Sequence, residues 1–309
     1  MTARNPPSAA TRDQVPRSGA LAQQPLIDVG DSWFRRYAVD IPSVRLVCLP
    51  HAGGTAGMFH DWYELLAPGI EVLAVQYPGR QDRLGEQPPR SLEELADEIA
   101  GRLLPYLDVP VSLFGHSMGA SVAYEVARRL EDWYPQALNH LYVSGRSAPG
   151  HELAGTAHPV SDDDLADWTV AAGEPGSHLY RDPELRDLLL PSLRGDLTLL
   201  DAYKPAEVIR LKAPITAFGG TADPGCTPED LATWAEVTAS GFGLQVFEGN
   251  HFYLVPHAAA VTAEISSRSI IHDAPSFQSE APSLQSPERQ HTTTAPPGKE
   301  LKNDRASMP

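Results

Sequence analysis

The stretch VSLFGHSMGA, residues 111–120, decides the fold of this chain. Val111–Phe114 form a short apolar run typical of a buried strand, and the segment after Gly119 has the spacing of a helix. Between them, Ser117 has a glycine two residues away on either side. A turn this sharp needs glycines, because larger side chains would meet the neighbouring strand and helix. The turn holds the serine in a strained conformation with its hydroxyl exposed. The pattern therefore predicts a nucleophilic Ser117; the alternative is a glycine-rich turn with an incidental serine.

Further apolar runs alternate with segments of helical spacing. In addition to Val111–Phe114, the predicted strands are Val44–Leu49, Glu71–Gln76, Leu141–Ser144, Ile215–Phe218 and Leu244–Phe247. Ser91 and Glu94 have the spacing of a capping box, and apolar residues follow them at helical intervals. Short, nearly continuous apolar strands between helices are typical of a mostly parallel sheet covered on both faces. The predicted fold class is therefore α/β, with a central sheet flanked by helices.

Two polar residues follow predicted strands in the order that a nucleophilic serine of this kind requires. Asp223 comes after Ile215–Phe218, and His251 comes after Leu244–Phe247. Open α/β sheets place their sites just past the carboxyl ends of the strands. We expect His251 to take the proton from Ser117, and Asp223 to fix the imidazole tautomer and stabilise the imidazolium.

Other residues compete for both roles. The alternative bases are His51, His116 and His257, and the alternative acids are Asp201, Asp230 and Glu248. His51 and His116 precede the acid along the chain, which is the wrong order, and His257 lies within a helical run. Asp230 suits the first turn of a helix, where its charge is favourable. Glu248 is too close to His251 along one strand.

The same chemistry needs backbone N–H groups that stabilise an oxyanion. One donor is the residue after the nucleophile, Met118, and the other comes from the loop after an early strand. That loop reads LPHAGG, residues 49–54, and its second predicted donor is Ala52. Glycines there permit backbone conformations closed to other residues, although a plain glycine-rich turn would look the same.

Composition excludes several other classes of function. The chain has 309 residues with 24 Lys+Arg against 40 Asp+Glu, a formal net charge of -16. Proteins that bind nucleic acid or anionic membranes normally carry basic patches, so neither partner is expected. Two cysteines are too few for a disulfide scaffold, and no apolar stretch approaches the ~20 residues that span a bilayer. The first residues lack the apolar core of a secretory signal, so we expect a cytoplasmic protein.

The two ends of the chain differ from the middle. Residues 1–30 are rich in Pro, Ala, Gln and Ser, and residues 272–309 contain six prolines, five serines and one aromatic residue. Such composition cannot bury enough apolar surface to offset chain entropy. Both ends are therefore predicted to be disordered tails, and residues 31–271 to form one domain.

Five segments together resemble the type II thioesterases of polyketide and nonribosomal peptide clusters. They are LPHAGGTAGMF (49–59), YPGR (77–80), GHSMGA (115–120), GGTADP (219–224) and GNHFYL (249–254). LRGD at 193–196 is also similar to an LRAD-like segment of that family. By motif, the resemblance implies a catalytic triad of Ser117, Asp223 and His251, with oxyanion donors at Ala52 and Met118. No cofactor and no metal is expected.

The resemblance also implies an α/β-hydrolase fold with a helical lid between the sixth and seventh strands. About 70 residues separate Ser144 from Ile215, too many for a simple helix–strand connection. Within them, Ser161 is predicted to cap one helix and Asp182-Pro183-Glu184 to begin another. An apolar insertion at about residues 150–205 is thus expected to cover an acyl pocket; a pair of ordinary core helices is the alternative.

The implied activity is hydrolysis of stalled or misprimed acyl groups from the phosphopantetheine arm of acyl- or peptidyl-carrier proteins. Phe59, Arg80 and Arg83 are assigned to the substrate site, the arginines as contacts for the phosphate of the arm, unless they form salt bridges. Since carrier proteins are acidic like this chain, docking must rely on a local apolar or basic patch.

Three functions compete at this stage. The first is a stand-alone editing thioesterase. The second is a chain-releasing thioesterase, or a general carboxylesterase or acyltransferase of the same fold. The third is a non-catalytic carrier-binding protein, which the complete set of predicted triad and oxyanion residues disfavours. A panel of thioester and ester substrates distinguishes them.

Overall fold

The computed structural model describes residues 31–151, 158 and 161–269. The two predicted tails, 1–30 and 272–309, lie outside these residues, and so does part of the predicted insertion. The disorder of the tails therefore stays a prediction from composition.

Within the described residues, seven strands form one sheet in the order β1-β3-β2-β4-β5-β6-β7. They are β1 (Phe34–Tyr37), β2 (Val44–Leu49), β3 (Ile70–Val75), β4 (Val111–His116), β5 (Leu138–Ser144), β6 (Ile215–Gly220) and β7 (Phe242–Phe247). β1 pairs antiparallel with β3, and every other neighbouring pair is parallel. The elbow strand β4 lies at the centre of the sheet, between β2 and β5.

Helices lie between the strands, as the alternation of patterns predicts. The α-helices of the described chain are α1 (Trp62–Leu65), α2 (Leu92–Leu103), α3 (Met118–Trp133), α4 (Asp162–Ala172), α5 (Pro183–Ala202), α6 (Pro228–Ala232) and α7 (Ala258–Ser269). Short 3-10 helices occupy Ala56–Phe59, Gln81–Arg83, Leu104–Tyr106, Ser177–Arg181 and Thr233–Val237. Among the described residues, no helix combines the length and the apolar character needed to cross a membrane.

Polar side chains begin several of these helices. The Ser91 hydroxyl accepts from the backbone N–H of Glu94, and the Ser161 hydroxyl accepts from that of Asp164. Asp182 caps α5 by accepting from the backbone N–H of Glu184. Such caps satisfy N–H groups that have no partner within the helix and contribute about 1 kcal/mol each. The predicted starts of α2, α4 and α5 are confirmed.

Side chains of the central strands alternate between two apolar layers. On β2, Val47 and Leu49 belong to the layer that contains α2 and α3, whereas Leu46 and Cys48 belong to the layer that contains α1 and α7. All four side chains are fully buried. Because helices cover both faces, these strands have no solvent side and are apolar at nearly every position. The α/β fold class with flanking helices is confirmed.

Two features of the sheet differ from expectation. The sequence does not predict β1, because this edge strand is short and has two arginines between Phe34 and Tyr37 instead of an apolar run. The insertion lies between β5 and β6, not between a sixth and a seventh strand, because five strands of the described sheet precede it. Its helices are α4 and α5.

Charged residues are buried at the amino ends of β2 and β3, away from the carboxyl ends that carry the predicted site. The Glu71 side chain accepts from Arg45 Nε at 2.6 Å and from Arg36 Nε at 2.9 Å. Arg45 also donates to the backbone carbonyl of Tyr106 at 2.7 Å. Removing one partner of such a pair leaves an uncompensated buried charge, which is strongly destabilising.

His140 on β5 gives the fold a dependence on pH. Its Nε2 lies 2.9 Å from Thr216 Oγ1, and its ring stacks on Tyr142 with centroids 4.3 Å apart. Burial lowers the pKa of His140 to about 4, and the charge of Arg268 acts in the same direction. In the unfolded chain the pKa returns to the ordinary value of about 6.5, so the unfolded state binds more protons between these values. Stability must therefore fall as the pH falls through that window.

We predict that the free energy of unfolding declines between pH 7 and pH 4, with His140 contributing up to about 3 kcal/mol of the loss. His140→Gln keeps a partner for Thr216 but does not titrate, so its stability should fall less steeply. Urea unfolding of both proteins at pH 7, 5.5 and 4.5 measures the difference. An identical pH dependence in the two proteins would contradict the assignment.

Candidate active site

Ser117 occupies a strained turn between β4 and α3, with φ of 55° and ψ of −119°. A β carbon at Gly115 would lie 2.1 Å from the carbonyl oxygen of Gly119, and one at Gly119 would lie 2.2 Å from that of Leu49. Both positions thus have room for glycine alone. The Ser117 N–H donates to the carbonyl oxygen of Ser144 at 2.7 Å. This bond and the close backbone packing hold a conformation that costs about 1–3 kcal/mol.

Asp223 and His251 meet beyond the ends of β6 and β7. His251 Nδ1 lies 2.7 Å from Asp223 Oδ2, and the other carboxylate oxygen accepts from the backbone N–H of Gly225 at 2.9 Å. The backbone N–H of Ala222 donates to the carbonyl of Gly249 at 2.8 Å, which ties the two loops together. With Nδ1–H donating to a buried carboxylate, Nε2 is left as the basic nitrogen of the imidazole.

The elbow and the His251–Asp223 pair approach each other at Gly145, the residue after β5. The carbonyl of Ser144 holds Ser117, and a β carbon at Gly145 would lie 3.0 Å from His251 Cε1. Within the described chain, the Ser117 hydroxyl has no hydrogen-bond partner. Catalytic hydrogen bonds are often loose without substrate and tighten in the complex, so an unbonded Ser117 hydroxyl is compatible with proton transfer to His251.

The two predicted oxyanion donors flank the elbow. Met118 is the first residue of α3, where a backbone N–H has no partner within the helix. Ala52 lies in the loop after β2, and the elbow contacts this loop through the approach of Gly119 to Leu49 and Pro50. Neither the Ala52 N–H nor the Met118 N–H donates to any other residue that the structure describes.

Two of the alternative bases, His116 and His257, have hydrogen-bond partners other than Ser117. His116 is fully buried with Nδ1 2.9 Å from Ser144 Oγ. Burial, together with the nearby His251 and His51, holds its pKa well below the ordinary value, so it is neutral. His116 Nε2 has no partner in the described chain. His257 Nε2 lies 2.8 Å from the carbonyl oxygen of Glu248, so this ring nitrogen already has a hydrogen-bond partner.

The alternative acids are also engaged elsewhere. Asp230 forms a capping box with Thr227 at the start of α6. Asp201 Oδ1 lies 2.8 Å from His158 Nδ1. Of the candidate pairs in the described chain, the structure brings together Asp223 and His251.

Phe59, assigned to the substrate site from the sequence, lies in the core of the structure, and its contact with substrate stays a prediction. It has 0% exposure and packs edge-on against Trp62 and Phe114, with ring centroids 5.1 and 5.9 Å away. The 3-10 helix that carries it packs onto the sheet. That packing places the aromatic ring in the apolar layer that contains α1.

Arg80 and Arg83 are buried and form ion pairs, which is the alternative to their predicted contact with the phosphate. Arg80 is 6% exposed and forms a bidentate ion pair with Asp196, at 2.6 and 2.8 Å. Arg83 is 2% exposed, donates from Nε to Glu86 at 3.0 Å, and lies over the ring of Trp33 at 4.0 Å. The Arg80 side chain turns inward to the carboxylate of Asp196, and the Arg83 side chain turns inward to the ring of Trp33.

The helices between β5 and β6 contact the loops that carry the predicted site. A β carbon at Gly53 would lie 3.1 Å from Leu193 of α5, and one at Gly173, after α4, would lie 1.9 Å from Asn250 Nδ2. Gly173 has a positive φ of 79°, which favours glycine there in any case. These contacts place α4 and α5 beside the candidate site; a lid function for them stays a prediction.

No role for Asp196 is predicted from the sequence, although this residue ends the LRGD segment, residues 193–196, that contributes to the family resemblance. The signal is a carboxylate in the apolar stripe of α5, next to Leu193, Leu197 and Leu200, all buried. A charge at such a position requires a buried partner. Nothing local in the sequence says that the partner is Arg80, which lies 116 residues earlier.

The chain is similar to known proteins over most of its length. The family model of the thioesterase domain matches residues 44–268. A probable cadicidin biosynthesis thioesterase of Streptomyces griseus is 39% identical over 240 residues, 77% of this chain and 66% of that protein. Thioesterase PikA5 of Streptomyces venezuelae is 37% identical over 253 residues, 81% of this chain and 90% of that protein. The solved structure of the type II thioesterase BorB, from the borrelidin biosynthetic cluster, is 40% identical with a TM-score of 0.71, and the match covers 77% of this chain and 98% of BorB.

The elbow geometry predicts that Gly119→Ala destabilises the protein by about 2 kcal/mol or more, because the new β carbon meets backbone that cannot move alone. Gly101→Ala is the matched control. Gly101 lies in α2 with nothing within 4 Å of its added β carbon, so alanine there should stabilise by about 0.5–1 kcal/mol. Urea unfolding of both variants measures the contrast, and equal stability would contradict the close packing of the elbow.

Proposed function

Since this chain belongs to the thioesterase domain family, we propose that it is an editing, type II thioesterase that removes stalled or aberrant acyl groups from the phosphopantetheine arm of carrier proteins. The observation that carries the proposal is the match to a type II thioesterase structure over 98% of that structure's length, at 40% identity. The arrangement of a strained Ser117 near a buried Asp223–His251 pair supports it independently.

In the proposed mechanism, Ser117 Oγ attacks the thioester carbonyl carbon while His251 Nε2 takes the hydroxyl proton. The tetrahedral oxyanion accepts hydrogen bonds from the N–H groups of Ala52 and Met118. Its collapse breaks the carbon–sulfur bond and leaves an acyl group on Ser117. The pantetheine thiolate is a good leaving group that needs little help from an acid. It takes up the proton from His251 and departs as a thiol, which leaves His251 neutral for the next step.

Deacylation repeats these steps with water. His251 takes a proton from water, the resulting hydroxide adds to the acyl carbon, and a second oxyanion forms at the same N–H groups. When it collapses, the carbon–oxygen bond to Ser117 breaks and His251 returns a proton to the serine. The free carboxylic acid leaves, and the enzyme is restored.

His251 must carry a positive charge twice in each cycle of the proposed mechanism, and two neighbouring groups interact with that charge. The Asp223 carboxylate stabilises the imidazolium at 2.7 Å. The ring of His116 is 4.8 Å away between centroids, and the lowered pKa of that buried histidine keeps it uncharged. A second cation at this distance would oppose protonation of His251, so the neutrality of His116 is part of the proposed chemistry.

A carrier protein is the proposed partner. The chain has a formal net charge of -16, so long-range attraction of an acidic carrier protein is not expected. Arg80 and Arg83 are buried and do not offer a basic patch. Docking therefore depends on other groups near the mouth of the site, and the carrier adds binding energy that a free thioester lacks.

We predict that a short acyl group on a carrier protein is hydrolysed with a higher kcat/KM than the same group on pantetheine, because part of the carrier's binding energy appears in the transition state.

Ser117→Ala should lower kcat by about 10³-fold or more, because the covalent route is lost. Ser267→Ala is the matched control: this exposed serine on α7 bonds to the backbone of its own helix, and the variant should keep normal turnover.

The alternatives give different results in the same panel. Equal kcat/KM for carrier and pantetheine thioesters would sink the editing role, and a preference for oxygen esters would favour a general carboxylesterase. Transfer of the acyl group to an added amine or alcohol in place of water would indicate an acyltransferase or a chain-releasing enzyme. A Ser117→Ala protein with near-normal turnover would exclude the proposed nucleophile.

A further inference from the structure

The loop that carries Ala52 is a turn closed by one backbone hydrogen bond, from the N–H of Gly54 to the carbonyl oxygen of His51 at 2.9 Å. Side chains from elsewhere hold this turn in its place. The backbone N–H of Gly53 donates to Asp196 Oδ2 on α5 at 2.8 Å. Two peptide units further along the loop, the carbonyl oxygen of Gly54 accepts from Arg80 Nη1 at 3.1 Å. Two consecutive glycines of the loop are therefore held by the two partners of one ion pair.

That ion pair is buried and bidentate. Arg80 Nη1 and Nη2 donate to the two carboxylate oxygens of Asp196 at 2.6 and 2.8 Å, and the two residues are 6% and 3% exposed. Burying two charges costs several kcal/mol each, and their attraction does little more than offset that cost. Net stability is therefore a weak reason for such a pair, whereas its fixed geometry suits the positioning of a loop.

Further contacts restrict the loop to one conformation. Gly53 has a φ of 76°, and a β carbon on it would lie 3.1 Å from the side chain of Leu193. At the start of the loop, the carbonyl oxygen of Pro50 accepts from the Tyr77 hydroxyl at 3.1 Å. The Arg80 guanidinium lies over the Tyr77 ring at 5.3 Å. The segment on either side of Ala52 is thus held through Arg80 and its neighbours.

We propose that Asp196 and Arg80 are positioning residues for thioester hydrolysis: together they aim the Ala52 N–H at the oxyanion, and they make α5 a necessary part of the oxyanion site. The inference rests on the proposed function, because it needs Ala52 to be a donor. Neither side chain touches the reacting atoms. Their effect reaches the transition state through the backbone of residues 52–54.

The test separates loop positioning from general stability. Asp196→Ala removes the acceptor for Gly53 and should lower kcat by about 10²-fold, in the range known for the loss of one oxyanion donor, while KM changes by less than about 3-fold. Glu71→Gln is the matched control, since it disrupts an equally buried arginine pair at the far end of the sheet. It should lose stability without losing kcat.

Two pantetheine analogues give a second readout. A trifluoromethyl ketone forms a tetrahedral oxyanion on the serine, whereas a thioether analogue binds without forming one. Asp196→Ala should weaken the ketone about as much as it lowers kcat/KM and leave the thioether affinity unchanged. Asp196→Asn keeps an oxygen acceptor for Gly53, so it should lose less kcat than Asp196→Ala; it also serves if the alanine variant does not fold.

The double variant Arg80→Asp/Asp196→Arg exchanges the two charges. It tests whether catalysis needs the acceptor for Gly53 or only a buried ion pair. The exchange restores an ion pair but leaves the Gly53 N–H without its acceptor, so thermal stability should recover while kcat stays low. Recovery of kcat, or Asp196 variants that lose no more kcat than Glu71→Gln, would overturn the inference. If instead the wild-type protein hydrolyses no thioester at all, the proposed function fails first.

Discussion

The close approach of backbone to backbone at the elbow is the constraint on which the rest of the site depends. Gly119 lies against the carbonyl of Leu49, and Gly115 against that of Gly119. The elbow strand is central in the sheet, with other groups of the site on both sides of it. Its neighbour β2 leads into the loop with Ala52, and β6 and β7, which lie beyond β5 on the other side, lead to Asp223 and His251. One tight turn thus fixes the point around which three separate loops must be arranged.

The sequence predicts most of the sheet and the order of the candidate triad for a physical reason. Strands buried on both faces must be apolar throughout, so β2, β4 and β6 stand out, and polar residues directly after such strands fall at one edge. β1 escapes prediction because it lies at the edge, where Arg35 and Arg36 are tolerated. What the pattern reports is burial between the two helical layers, and the two arginines of β1 are only half-buried.

Side-chain direction is the part that the sequence does not determine. Arg80 follows a strand end, a position that suits a substrate contact as well as a buried pair. The deciding factor is Asp196, which reaches it from a helix 116 residues further along. Phe59 is a similar case, because Trp62 and Phe114 create the aromatic environment that takes its ring. Local patterns locate the loops of a site, while distant partners decide which side chains face it.

The contact of Gly173 with Asn250 has a consequence for recombination between relatives. The end of α4 fits against the residue next to His251, and α5 meets the loop after β2 through Leu193 and Asp196. A chimera that received the segment between β5 and β6 from another member of the family would have to match these surfaces at both places. Among relatives, sequence changes in this segment are therefore expected to be correlated with changes in the two loops that it contacts.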